Sequence, residues 1–341
     1  VTSGLDIEQP EALIAYLRET GRIHAAERPT VRVLAGGVSN RTVLVERETG
    51  EAWVLKQALE KLRVATDWFS SPERVHREAE GLRWLGELAP EGSTVKFVFE
   101  DRTHHILAMR AVPQPHRNWK AMLLAGEVHL EHVRQFGTML GIIECRALEH
   151  RNELERAFGD RSFFESLRLE PYYAYTASVV PEASRFLHAL IEDTRANRVT
   201  LVHGDYSPKN VLVYQDRLIL LDHEVVHFGD PAFDLGFSMT HLLSKVHHLP
   251  AHRATLLEAA RHYWTAYSNA ANKVLTPHLE ARAVRNTLGC LLARVAGRST
   301  LEYLDEIERA RQRGIVIDLI SSPPITMPEL IDGFKDRLLE A

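Results

Sequence analysis

The hydrophobic period of this chain changes near residue 112, and that change limits the folds open to it. From Thr30 the runs VRVLAGG, NRTVLVE and EAWVLKQ are short, β-branched and separated by glycine or charged turns such as Glu48-Thr49-Gly50. That pattern predicts an antiparallel meander. A helix over Glu8–Thr20 precedes it, with Leu13, Ile14 and Leu17 on one face, and another follows over Pro72–Gly86. TVKFVFE and HHILAMR add two strands around Asp101-Arg102, and the two prolines of AVPQPHRN then break regular structure. Beyond that point apolar residues recur at helical spacing, as in Leu130, Val133, Phe136, Leu140 and Ile143. Further helices are expected over 182–196, over 231–247, through LLARVAG and from Pro328 onward, with one strand-loop-strand unit at 200–221 between them. The expectation is an α+β chain with a β-rich domain over 1–112 and a mainly helical domain over 113–341.

Composition narrows the partners. A net charge of -5 over 341 residues makes nucleic acid a poor candidate. Cys145 and Cys290 are far apart and form no CxxC, which fits a reduced compartment. No run approaches the ~18 apolar residues of a membrane span, and the N-terminal residues lack a basic segment followed by an apolar core. A cytoplasmic location is expected. The sequence carries no sign of oligomeric state.

Chemistry concentrates in two stretches, LVHGDYSPKN (201–210) and LLDHE (220–224). Phosphoryl transfer needs a carboxylate to orient the attacking hydroxyl and take its proton, and an amide and a second carboxylate to hold Mg²⁺. Asp205, then Asn210 five residues on, then Asp222 after a hairpin supply that order. Val211–Tyr214 and Leu218–Leu221 would be the hairpin strands. Upstream, Gly36-Gly37 could let backbone approach phosphate oxygens, although Gly-Gly in a hairpin is usually only a turn. Lys56 lies two strands later, and alternation alone does not settle which face it occupies. Glu78 shares a helix face with Leu82 and Leu85 and would face the sheet, whereas Glu80 would face water. Glycine loop, strand lysine and helix glutamate follow one another as in the N-terminal lobe of protein kinases.

HGDYSPKN, LLDHE and GDPAFDLG together resemble the aminoglycoside phosphotransferase and choline kinase superfamily, whose members have a two-lobe protein-kinase-like fold. The resemblance implies ATP and Mg²⁺ as cofactors and a small-molecule hydroxyl as acceptor. It makes Asp205 the catalytic base and Asn210 and Asp222 the metal ligands. Lys56 would bind nucleotide phosphates, Glu78 would orient it, and Gly36, Gly37, Ser39 and Asn40 would form the phosphate loop. Met109 to Ala111 would be the hinge that meets adenine, and Asp234 would cap a helix or tie down the loop. VLKQALEKLRVATDWFSSPERVHREAEGL and FFESLRLEPYY are similar to the methylthioribose kinase pattern. Against that pattern, Gly37-Val38-Ser39-Asn40 stands where the family has Gly-x-Asn, Ser207 replaces a histidine, and Ala293-Arg294 stands where the family has an arginine pair. Arg294, Trp68, Ser207 and Glu224 are the candidate acceptor contacts. Arg294 and Arg298 could instead pair with Glu302 or Asp305, and Lys209 could reach the phosphates.

Other readings remain. His203, Asp205, Asp222, His223, His227 and Asp230 could be the ligands of a metallohydrolase. The chain could also be an inactive nucleotide-binding module. The acceptor could be a methylthioribose-like sugar, an aminoglycoside, or choline or another amino alcohol.

Overall fold

The computed structural model describes residues 5–34, 39–61, 63 and 69–340. The chain divides into two compact units: Val1–Glu87, Thr94–His116 and Asp222–Glu224 in one, and Leu88–Ser93, Arg117–Leu221 and Val225–Ala341 in the other.

In the first unit a five-stranded antiparallel sheet runs β1 (Thr30–Val33), β2 (Asn40–Glu46), β3 (Ala52–Ala58), β5 (Ile106–Arg110), β4 (Phe97–Asp101) across its width. Period-2 alternation sets its faces. Trp53, Leu55 and Gln57 of β3 are buried, and the alternate residues are half-buried. Trp53 and Leu55 join Val43, Val45, Phe99, Ile106 and Ala108 in a core that also takes Leu13, Tyr16 and Leu17. Those three come from helix α1 (Pro10–Glu19), where Pro10 fits the first turn because its missing N–H has no intrahelical partner to lose. Helix α2 (Arg74–Leu88) follows β3. Glu78, Leu82 and Leu85 are each at most 2% exposed, whereas the Glu80 side chain is 42% exposed.

The second unit is mainly helical. Helix 253–270 packs on helix 130–149, and helix 277–296 packs on helix 232–248. Glycines permit both close approaches. A Cβ on Gly137 would lie 2.5 Å from the Tyr263 carbonyl, and one on Gly236 would lie 2.6 Å from the Asn286 backbone. Helix 232–248 is buried at every position from Ala232 to His247, as a helix surrounded by other elements must be. Residues 165–174 form a π-helical stretch containing Pro171, which helical periodicity alone does not foretell.

Two small sheets are set among these helices. One joins β6 (Arg117–Asn118), β8 (Val211–Tyr214) and β9 (Arg217–Leu220); the other pairs β7 (Thr200–Val202) with β10 (His227–Gly229). The expected hairpin is β8–β9, with its second strand starting one residue earlier than the apolar run.

Gly236→Ala tests the close helix packing. The added methyl has no room, so the expected loss is about 2 kcal/mol and a Tm several degrees lower. At exposed Gly314, where a Cβ meets nothing within 4 Å, alanine should instead stabilise by about 0.5–1 kcal/mol. Equal Tm changes at the two sites would contradict the packing account.

Candidate active site

In the first unit the site is built around one lysine. Gln57 turns toward the α1 side, where its Nε2 donates to the Leu5 carbonyl at 2.7 Å. Alternation therefore places Lys56 on the opposite face, toward α2. Its Nζ lies 2.6 Å from Glu78 Oε1 and 2.8 Å from Asp222 Oδ1. Burial works to discharge the amine, but Asp222 and Glu78 outweigh it and hold Lys56 firmly protonated. Glu78 is pushed above the ordinary carboxylate range by burial, with Lys56 pulling against that and Asp222 and Glu224 adding to it. Asp222 has φ +67, a left-handed conformation that is uncommon outside glycine. Strain of this kind is retained where surrounding contacts fix it.

Arg74 supports the same cluster from below. It is fully buried and donates to the Ser39, Leu59, Ser70 and Ser71 carbonyls. Its Nε lies 3.4 Å from Glu224 Oε2, and Ser39 Oγ lies 3.3 Å from Glu224 Oε1. Ser39 and Glu224 thus meet. Asn40 is buried beside them and donates to Ser39 Oγ at 3.2 Å. Gly36, Gly37 and Trp68 lie outside the described residues. Met109 is buried in β5 opposite Val54. The Ala111 N–H already donates to the Ala52 carbonyl at 2.9 Å, so that amide is committed to the sheet.

In the second unit HGDYSPKN is a tightly tied loop. The Asp234 carboxylate accepts from the His203 amide at 2.6 Å and the Gly204 amide at 2.8 Å. It therefore ties the loop and does not cap its own helix. Burial raises the Asp234 carboxyl to about 7 against the pull of those two amides. Gly204 has φ +77, and a Cβ there would stand 2.9 Å from the Val225 carbonyl, so both conformation and space require glycine. The Tyr206 hydroxyl donates to the Phe136 carbonyl at 2.7 Å while its ring stacks on Phe136. Ser207 is buried, and its carbonyl accepts from the Asn210 amide, closing a short 3₁₀ turn at Pro208–Asn210.

Asp205 is the focus of this loop. Asn210 Nδ2 donates to its Oδ2 at 2.7 Å and to its carbonyl at 3.0 Å. Arg168 Nη2 lies 3.1 Å from the same Oδ2, and Lys209 Nζ lies 3.7 Å away. Sequence reasoning gave Arg168 no role. It comes from the π-helical stretch, and its Nε also donates to the Gly204 carbonyl at 2.7 Å. The signal available was an arginine between Leu167 and Leu169, both buried.

Two sequence expectations need correcting. Arg294 does not pair with Glu302 or Asp305. It is 9% exposed and donates to the Tyr172 hydroxyl at 3.2 Å and to both the carbonyl and hydroxyl of Ser299. Arg298 pairs with Glu170 at 3.1 Å. Of the residues read as metallohydrolase ligands, three in the second unit have other partners. Asp230 is taken by Arg282 at 2.8 Å, His227 Nδ1 contacts the Val225 carbonyl, and His203 Nδ1 accepts from the Asp205 amide. Among the described residues the three potential ligands that do meet are Glu73, His76 and His105, in the first unit.

Taken by itself in the first unit, Asp222 offers carboxylate oxygens of the kind a hard divalent cation takes. In the second unit Asn210 Nδ2 is spent on Asp205, which leaves its Oδ1 as an oxygen of the same kind.

Residues 30–272 match the family model described as "Phosphotransferase enzyme family". Among curated relatives, methylthioribose kinase 2 of Oryza sativa subsp. japonica is 23% identical over 271 residues, 68% of this chain and 61% of the rice protein. The chain thus spans less than two thirds of that relative's length. Methylthioribose kinase of Pectobacterium carotovorum is 24% identical over 291 residues, covering 75% of this chain and 72% of that protein. Among solved structures, the amicoumacin kinase hAmiN, in complex with AMP-PNP, Ca²⁺ and Ami, superposes with a TM-score of 0.56 at 13% identity, over 87% of this chain and 89% of that one. Choline kinase LicA of Streptococcus pneumoniae gives 0.51 at 14% identity, over 91% and 99%. At these identities the structures speak for the fold alone: a kinase-like α+β chain, β-rich at its N-terminus and helical toward its C-terminus. With the family model spanning most of the chain, this protein belongs to the phosphotransferase enzyme family of kinase-like fold.

Proposed function

We propose that the chain is an ATP-dependent small-molecule kinase that moves the γ-phosphate to a hydroxyl of a sugar-like acceptor. The observation that carries this reading is the Asp205 carboxylate, buried and fixed by Asn210 and Arg168. A base for an alcohol must be held in one orientation at the reacting atom. The similarity to methylthioribose kinases supports a sugar-like acceptor.

The acceptor hydroxyl places its oxygen in line with the γ-phosphorus and gives its proton to Asp205. As the new O–P bond forms, the bond from phosphorus to the bridging oxygen breaks and its electron pair leaves with ADP. Lys56, held protonated by Glu78 and Asp222, supplies positive charge to the nucleotide phosphates. Asn210 and Asp222 would hold Mg²⁺, which when bound neutralises phosphate charge. Arg168 is a positioning residue. It anchors the Asp205 carboxylate and the Gly204 carbonyl together, so the base and its loop keep one geometry.

Asp205→Asn and Asp205→Ala should keep nucleotide affinity in equilibrium binding yet lower kcat by about a hundredfold or more. Near-normal kcat in both would remove Asp205 as the base. Asp222→Asn should raise the Mg²⁺ concentration needed for half-maximal turnover by about tenfold, the loss of one charged ligand being of order 1.4 kcal/mol. An unchanged Mg²⁺ titration would take Asp222 out of the metal site.

A further inference from the structure

The helix 232–248 holds two polar side chains that the loop chemistry does not use. Lys245 is fully buried and His241 is 4% exposed. Lys245 Nζ donates to the His241 carbonyl, one turn back, at 2.9 Å. Both ring nitrogens of His241 are buried with no hydrogen-bond partner among the described residues, as are Arg294 Nε and the Tyr303 hydroxyl. Buried polar atoms are almost always paired, and these four, on neighbouring side chains, offer both donors and an acceptor.

These side chains form one cluster linked to the base. Lys245 and Lys120 stand against the same Tyr303 ring, at 5.3 and 5.8 Å from its centroid. Arg294 lies 5.6 Å over Tyr172, and Arg168, paired with Asp205, lies 5.8 Å over that same ring. His241 packs edge-on against Phe237, which stacks on Tyr172. His241 is also within electrostatic range of Asp205. The charges do not balance. Among the described residues Lys120, Lys245 and Arg294 bring three basic groups together, and Glu302 is held by Lys120 with its side chain 65% exposed. Burial, then the charges of Lys120 and Arg294, lower the Lys245 amine to about 7. Burial and the same cations keep His241 neutral, with one N–H to give and one lone pair to receive. An uncompensated buried ammonium is costly to the folded chain. Three clustered basic groups beside orphaned donors, one of them partly discharged by burial and able to regain its proton beside an anion, are what an anionic ligand requires.

We propose that this cluster is the acceptor subsite, and that the acceptor is a small polyhydroxy compound carrying its own anionic group, a carboxylate or a phosphate. Its charged end sits on Lys245, Lys120 and Arg294. A hydroxyl bonds His241, and another reaches Asp205 for transfer. The assignment rests on the kinase reading above and sharpens it. It disfavours uncharged methylthioribose and cationic choline or aminoglycosides as preferred acceptors.

Isothermal titration of the full chain, saturated with ADP and Mg²⁺, tests the subsite without turnover. The probes are inorganic phosphate, gluconate, glucose 6-phosphate, glucose and glucosamine. Phosphate and at least one of the two anionic sugars should bind at least about tenfold more tightly than glucose or glucosamine, the size of one charge-assisted contact. Gluconate against glucose 6-phosphate tells a carboxylate site from a phosphate site. Lys245→Met, and separately the part-exposed Lys120→Gln, should each weaken the anions by about tenfold and leave glucose unchanged. Lys245→Met should also hold or raise Tm, because it removes a buried charge. Glucose or glucosamine binding as well as the anions, or anion affinities identical in wild type and both variants, would overturn the subsite. So would a lower Tm for Lys245→Met with anion affinity intact, which marks a structural lysine. Anion binding that follows Lys245 in a protein that transfers phosphate to none of these compounds and hydrolyses no ATP would count against the kinase reading and leave the subsite standing.

Discussion

One ammonium shared by two carboxylates organises the first unit of this protein. Lys56 belongs to a strand, Glu78 to the helix that follows it, and Asp222 to a segment distant in sequence, yet both carboxylate oxygens lie within 2.8 Å of one nitrogen. Burial alone would discharge the Lys56 amine, and the two carboxylates hold it protonated. The chain's overall charge says little about this chemistry, because what counts is local.

The loop around Asp205 is fixed by a different device. Asp234 spends both carboxylate oxygens on backbone amides of the loop, and Arg168 ties the Gly204 carbonyl to the Asp205 side chain. Asn210 then locks the carboxylate from within the loop. The Asp205 carboxylate is therefore oriented by charge-assisted contacts within its own unit. Such preorganisation suits an enzyme whose contribution is mostly positioning.

Much of this was legible in the residues. Alternating runs gave the strands, and the i, i+4, i+7 spacing of Glu78, Leu82 and Leu85 told the inward glutamate from Glu80. The order Asp205, Asn210, Asp222 points to phosphoryl transfer, and the family match agrees with it. What stayed hidden shares a physical cause: partners far apart in sequence. The face of β3 that Lys56 occupies depends on whether α1 or α2 packs there, which period-2 alternation does not encode. Arg168 reaches Asp205 from a π-helical stretch 37 positions earlier, and no local pattern gives its direction. Arg294 sits near Glu302 and Asp305 in sequence, but its donors go to Tyr172 and Ser299. Helix 232–248 is buried on all sides, so periodicity could not separate its core residues from Lys245 and His241.

The central claim is transfer of a phosphoryl group from ATP to an alcohol. The most direct measurement is ³¹P NMR of the protein with ATP, Mg²⁺ and a panel of sugars, sugar acids and amino alcohols. The account predicts a phosphate monoester resonance that grows in step with ADP for at least one polyhydroxy acceptor. Bound nucleotide with no new resonance across the panel, or orthophosphate as the sole product, would contradict it.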